Sequence, residues 1–215
     1  MRHQISIPLL TTLLLTTVLC AGIGTALYGQ EFPRGGAPDN PAAAGNLTVA
    51  AQLNRQLSFV ETEFVDAADA MPAEKYAFVP QAEFPNGNFR GVRTFAQQVL
   101  HVATANYGLY GAILPDESRP TPPAATAAKA EIMAYLRASF AFAHKATSTI
   151  TPENMLTPVR RAPNAFAGTN LQLAVFGCSH VTDIYGQVVE YLRMNGLVPP
   201  ATANQPARGG RGSRP

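Results

Sequence analysis

The 215-residue chain has few cysteines and few charged residues, and both shortages exclude classes of protein. Its two cysteines are Cys20 and Cys178. Because Cys20 lies in a segment that we expect to be removed, the mature protein would keep one cysteine and form no internal disulfide. Charged residues make up 14% of the chain, and residues 41–200 hold 11 basic and 12 acidic side chains. This balance leaves no basic surface for nucleic acid, so we expect no nucleic-acid partner.

The N-terminus has the layout of a secretory signal peptide. Arg2 and His3 precede an uncharged run from Ile5 to Ala26, which ends in the small-x-small pattern Gly24-Thr25-Ala26. We therefore expect a signal peptide over residues 1–26 and an exported protein, either periplasmic or extracellular. The alternative is an uncleaved anchor, because the run is nearly long enough to span a bilayer. A membrane partner is expected only in that case.

Four segments show apolar residues at helical spacing, and each ends near a proline or glycine. They cover residues 48–71, 95–114, 124–149 and 170–194. At about 1.5 Å per residue, they match the length of bundle helices. The sequence predicts an all-α fold, a four-helix bundle over residues 47–200 with long inter-helix connections at 76–93 and 157–168. A flexible linker over residues 27–46 precedes the bundle, and a disordered tail over residues 201–215 follows it.

Two histidines are the candidate site residues. His101, on the second helix, shares its face with small or polar residues, which suits the lining of a pocket: Gln97, Thr104, Ala105 and Gly108. His180 lies on the fourth helix, and position 184 is one turn later on the same face. Converging imidazoles are ligands for zinc, nickel or iron. The alternative is that each histidine is hydrogen-bonded at the edge of the core, which is the commoner case for a lone histidine.

The stretch SHVTDIYGQVVEYLRMNGLVPP, residues 179–200, read together with His101, resembles the DinB-like superfamily of four-helix bundles. The resemblance implies three histidine ligands for a divalent metal, one on the second helix and two in an HxxxH pair on the fourth. Here the pair reads His180-Val-Thr-Asp-Ile184, so Ile184 occupies one ligand position. The other matching positions are interpreted as structural, with Gly186 allowing a close helix approach: Tyr185, Gly186, Gln187, Tyr191, Arg193 and Asn195.

Three other side chains are weighed as the missing ligand. Asp183 is a possible third ligand, although its direction differs from that of position 184 by about 100° around the helix. Cys178 points to the opposite side from His180, and its apolar surroundings predict a buried, inert thiol. His144, on the third helix, would need an unusual rotation to reach the same cavity.

These observations favour an exported DinB-like protein of undetermined activity, with a degenerate metal site and a small-ligand pocket between the second and fourth helices. Its expected partners are an unknown small molecule and, through an apolar helix face, a second copy in a homodimer. The resemblance also implies an alternative, a metal-dependent enzyme similar to thiol S-transferases or hydrolases. That enzyme would use His101, His180 and a substitute third ligand.

Overall fold

The computed structural model describes residues 47–80, 87–159 and 168–205. The predicted signal peptide, the linker and most of the tail lie outside these residues. Four long helices form the described part: α1 (Val49–Ala70), α2 (Phe95–Tyr110), α3 (Lys129–Ser148) and α4 (Asn170–Met194). The prediction of an all-α four-helix bundle is confirmed. In the described ranges, no helix combines the length and apolarity needed to cross a membrane.

Side-chain caps explain where three of the helices begin. The hydroxyls of Thr48 and Thr169 accept hydrogen bonds from the backbone amides of Ala51 and Gln172, at 3.1 and 3.2 Å. At α2, Thr94 and Gln97 cap each other reciprocally, at 3.2 and 2.8 Å, as the Thr-x-x-Gln spacing predicts. These bonds satisfy backbone N–H groups that have no partner inside the helix.

The end of α4 is set by Gly196, which adopts φ +74°. Its amide and that of Leu197 donate to the carbonyls of Arg193 and Leu192, at 2.9 and 3.0 Å. This is the Schellman pattern, in which the residue after the helix takes a left-handed conformation that glycine adopts without steric cost. The predicted end of the fourth segment at residue 194, near a glycine, is confirmed. A further short helix, α5 (Pro200–Ala203), follows and contacts α1, so residues 201–203 are helical where the sequence predicts a disordered tail.

Other boundaries also differ from the predictions. Helix α2 ends at Tyr110 instead of Leu114, because Gly111 to Leu114 turn back with short-range backbone bonds to Tyr107, Leu109 and Tyr110. Helix α3 begins at Lys129 instead of Ala124. A two-residue antiparallel pair, β1 (Pro158–Val159) with β2 (Gly168–Thr169), occupies the ends of a connection predicted to lack regular structure. Part of that connection lies outside the described residues.

The bundle has an up-down-down-up topology. The end of α1 lies beside the start of α3, where Lys129 Nζ donates to the Asp69 carbonyl at 2.5 Å. The start of α2 and the end of α4 lie together, since the Tyr191 hydroxyl donates to the Arg93 carbonyl at 2.9 Å. Tyr76, just after α1, stacks edge-on against Phe95 at 5.2 Å between ring centroids. The end of α1 and the start of α2 therefore lie at the same end of the bundle. Helices α2 and α3 are therefore parallel, and residues 111–128 cross the length of the bundle.

Apolar side chains from all four helices form one core. On α3, four apolar residues at helical spacing are fully buried: Ile132, Leu136, Phe140 and Ala143. On α1, the apolar residues at helical spacing are buried from Leu57 onward, whereas Leu53 is half-buried. This packing fixes α2 against α4, where the two candidate histidines lie.

Candidate functional site

The two candidate histidines meet between α2 and α4. The ring centroids of His101 and His180 are 4.9 Å apart, and the ring planes cross at 77°. Both residues are half-buried. The ring of Phe176, one turn before His180, stacks on it with centroids 6.2 Å apart and planes at 18°. The structure therefore brings together the two residues that the sequence singles out.

Burial keeps both rings neutral. It lowers the pKa of His101 below 6.5, and the charges of Arg93 and His180 lower it further, against an opposing effect of Asp183. Burial also lowers the pKa of His180, with Asp183 opposing and Arg93 reinforcing the shift. A neutral imidazole has a lone pair on one nitrogen. Near pH 7 the pair can therefore accept hydrogen bonds or coordinate a cation.

One nitrogen of the pair lacks a partner. His180 Nε2 is buried from solvent and makes no hydrogen bond to any residue that the structure describes. Buried polar atoms in native proteins are nearly always bonded, to protein or to an ordered molecule. The unsatisfied nitrogen therefore marks a place where a partner is expected.

Ile184 lies one turn after His180 and is 3% exposed. Its alkyl side chain has no donor atom and belongs to the continuous hydrophobic core. The side of the site that would hold a third imidazole in the family pattern is therefore apolar. We call the surrounding contact region the α2–α4 seam, defined by Gln98, His101, His180, Ile184 and Gln187.

The other candidate ligands do not join the pair. Asp183 is exposed, although its charge affects both rings. Across the described ranges, no three side chains of His, Cys, Asp or Glu lie where they could hold one metal ion. The structure therefore does not assemble the three-ligand set with Asp183 that the sequence left open.

Cys178 and His144 lie in other environments. Cys178 is 7% exposed, and burial raises the pKa of its thiol, which confirms the predicted burial. Its sulfur is 4.0 Å from the Tyr110 hydroxyl. His144 lies between α1 and α3, where Nδ1 is 2.7 Å from Asn54 Oδ1 and Nε2 is 2.8 Å from Glu61 Oε2.

The structure gives the surroundings of three residues interpreted as structural, namely Tyr191, Tyr185 and Gly186. Tyr191 is 5% exposed, and its hydroxyl tip is bonded to Arg93, as its predicted role requires. Burial and the carboxylates of Glu63 and Asp66, both on α1, raise the pKa of Tyr185 to about 12. The prediction for Gly186 is wrong. A Cβ there would meet nothing within 4 Å, so no helix approaches closely.

Sequence analysis missed the close approach of two helices at Gly177 and the role of Gln98. A Cβ on Gly177 would lie 2.5 Å from the Tyr110 hydroxyl oxygen. Gln98 is 2% exposed, and its Nε2 donates to Gln187 Oε1 at 2.8 Å. The position of Gln98 one turn before His101 was the available signal. The adjacent Gln97, which caps α2, is exposed.

The pattern on α4 and the bundle both point to one family. The family model described as the DinB superfamily matches residues 56–188. The chain belongs to the DinB superfamily. No curated protein matches the chain. Within this DinB superfamily domain, Ile184 leaves two imidazoles, so the three-imidazole site that the resemblance implies is incomplete.

Proposed function

We propose that this DinB superfamily protein binds a small ligand in the α2–α4 seam, at a metal site that has lost one of its three imidazole donors. The observation that carries the proposal is the separation of the His101 and His180 rings, 4.9 Å between centroids. Helix periodicity alone does not bring these two rings together. They lie 79 positions apart in the chain, so α2 and α4 must pack with His101 and His180 at matching positions. The unsatisfied His180 Nε2 supports a bound partner.

The expected affinity for a divalent metal is low. Both imidazoles are neutral, so their lone pairs are available to zinc, nickel or iron. Ile184 contributes an apolar surface where a third nitrogen would complete the usual coordination. When bound, such an ion would act as a Lewis acid toward a ligand donor atom. We propose that it exchanges readily instead of remaining permanently in the protein.

Metal analysis of the purified protein tests this proposal. Protein prepared without added ions should contain clearly less than one metal ion per chain, and added Zn²⁺ should bind weakly and reversibly. His101→Ala and His180→Ala should each abolish that weak binding. One tightly held ion per chain, lost in both variants, would contradict the low affinity and favour the enzyme that uses a substitute third ligand.

Restoring the missing donor is the complementary experiment. Ile184→His should raise the affinity for Zn²⁺ by about 100-fold or more, equivalent to about 3 kcal/mol, if the new ring completes the site. Ile184→Leu is the matched control, because it repacks the same position without a donor atom. A folded Ile184→His protein with unchanged affinity would show that the two native rings do not present their nitrogens to a common point.

We also propose that the protein is exported. The support is the sequence of residues 1–26, with Arg2 before an uncharged run and a small-x-small pattern at its end. N-terminal sequencing of the protein recovered from cell fractions should give a chain that begins after Ala26, outside the cytoplasm. An intact Met1 in the membrane fraction would instead support the uncleaved anchor.

A further inference from the structure

Phe176 lies on the surface of α4 beside the histidine pair. Its side chain is 37% exposed and is not among the apolar side chains that form the core of the bundle. Phe176 therefore contributes little to the packing that the four helices share. Its ring is instead stacked on His180, with the two planes at 18° and the centroids 6.2 Å apart.

Helix geometry explains this stack. Phe176 and His180 are four positions apart, so they lie on the same face of α4, one turn from each other. Helical side chains lean toward the N-terminus of their own helix, which lays the His180 ring over the turn that carries Phe176. Aromatic pairs attract at centroid separations of about 4.5–7 Å, and the observed separation lies in that range. The stack is therefore a stabilising contact that the local spacing makes available.

The His180 ring contacts two other rings at different angles. Phe176 lies nearly parallel to it, whereas the His101 ring is at 77° with its centroid 4.9 Å away. The torsion about the Cβ–Cγ bond of a histidine is broad, so an unsupported ring turns easily. A turn out of the observed plane would lose the stack on Phe176. It would also move Nε2, which in the observed plane is buried without a partner among the residues that the structure describes.

We infer that Phe176 is a positioning residue of the histidine site, which holds the plane of the His180 ring so that Nε2 stays directed into the protein. This inference rests on the proposed function, because it makes Nε2 the atom that His180 offers to a ligand. A donor that is already ordered loses less conformational freedom on binding, so the stack should increase the affinity of the site. Phe176 precedes the stretch 179–200 that carries the family resemblance, and it is identified here by its ring contact alone.

Zinc affinity in the Ile184→His background measures the effect on binding. Phe176→Leu keeps an apolar side chain but removes the flat ring, so the affinity should fall by about three- to tenfold. Phe176→Tyr keeps the ring and should retain the affinity within about twofold. Val175→Ala is the matched control, because the adjacent residue is also exposed and apolar but points about 100° away around the helix. It should leave the affinity unchanged.

NMR of the histidine rings in the metal-free protein is the second measurement, and it needs no bound ion. The ring current of a stacked phenyl group shifts the carbon-bound protons of its neighbour upfield. The His180 ring protons should therefore be shifted upfield in the wild type and in Phe176→Tyr, and Phe176→Leu should lose this shift. The signals are assigned with His101→Phe and His180→Phe. His144, between α1 and α3, is the reference that Phe176→Leu should not affect.

The two measurements separate this inference from the proposed function. Unchanged His180 shifts in folded Phe176→Leu would overturn the role of Phe176, and zinc binding by the Ile184→His protein would still support the histidine site. A lost shift with unchanged zinc affinity, or an equal fall in Val175→Ala, would also overturn it, because the stack would not then act on binding. A lost shift without any zinc binding by the Ile184→His protein would contradict the proposed site, although it would show that Phe176 holds the ring.

Discussion

Two seams of the bundle contain histidines, and they differ in how completely their polar atoms are bonded. In the α1–α3 seam, defined by Asn54, Glu61, His144 and Ser148, both nitrogens of His144 lie within 2.8 Å of side-chain oxygens. Asn54 Nδ2 donates to Ser148 Oγ at 3.1 Å, and Ser148 Oγ donates to the His144 carbonyl at 2.7 Å. The Asn54 amide oxygen and the Glu61 carboxylate both accept hydrogen bonds, and each lies against one ring nitrogen of His144.

The α2–α4 seam leaves Gln98 Oε1 and His180 Nε2 unpaired, although it is built from the same kinds of side chain. A closed network fixes the relative position of two helices and leaves no atom to act on a ligand. An incomplete network loses that stabilisation and retains free donor atoms. The difference supports the proposal that His144 has a structural role, whereas His101 and His180 belong to a ligand site.

The largest expected effect comes from a substitution at Gly177, in the N-terminal part of α4, where Tyr110 of α2 packs closely. Gly177→Ala would place a methyl group 2.5 Å from the hydroxyl oxygen of Tyr110, which is fully buried and bonded to the Ala174 carbonyl at 3.2 Å. Because Tyr110 has no free space to move into, the free energy of unfolding should fall by about 1–3 kcal/mol. Urea denaturation measures this change.

Gly186→Ala is the matched control on the same helix. A Cβ at this position meets nothing within 4 Å, so the helix preference of alanine should raise the free energy of unfolding by about 0.5–1 kcal/mol. Opposite signs for the two glycines would establish that Tyr110 of α2 packs closely against Gly177, whereas Gly186 faces open space. Two stabilising substitutions would mean that Tyr110 does not pack against Gly177.

The second prediction compares the same substitution in both seams. His144→Phe removes the ring nitrogens that contact Asn54 Oδ1 and Glu61 Oε2, so it should lower the free energy of unfolding by about 1–2 kcal/mol. His180→Phe keeps an aromatic ring beside His101 and removes an unpaired nitrogen, so stability should be unchanged or higher. Thermal and urea unfolding in the presence of a chelator measure both. Equal losses would remove the distinction between a structural and a functional histidine.

The sequence predicts the helices of this fold well, because each has a local cause. The Thr94-Gln97 capping pair and the Asn195-Gly196 stop act through atoms a few residues apart, so their effect can be inferred without knowing the neighbours. The burial of Ile184 also follows from its position on the α4 stripe. The end of α2 near Leu114 and the start of α3 near Ala124 were predicted less well. The proline-rich segments after Gly111 and before Lys129 fold into turns instead of continuing these helices.

The site could be predicted only in part, because partners from distant segments decide which polar atoms are satisfied. His101 and His180 were identified from family spacing, and the structure brings their rings together. The partners of His144 come from α1 at sequence separations of 83 and 90, and no local pattern indicates them. Gln98 was missed for the same reason, since its burial depends on Gln187 of α4.

The third prediction, the smallest in effect, concerns pH. Burial lowers the pKa of His101 and His180 below the ordinary 6.5, so the unfolded chain binds protons more readily at these two residues than the folded one. Their contribution to stability is therefore complete above about pH 6.5 and declines as the pH falls toward the folded-state values.

The test is a comparison of wild type with the double variant His101→Phe/His180→Phe, by urea unfolding in chelator at pH 7.5 and pH 5.0. The wild type should lose more free energy of unfolding on acidification than the double variant. Glu63, whose pKa burial raises, is present in both proteins, so its contribution cancels in the difference. Equal losses would mean that the two rings are already solvated like those of the unfolded chain. The α2–α4 seam would then be open to water, and the unpaired Nε2 would need no further ligand.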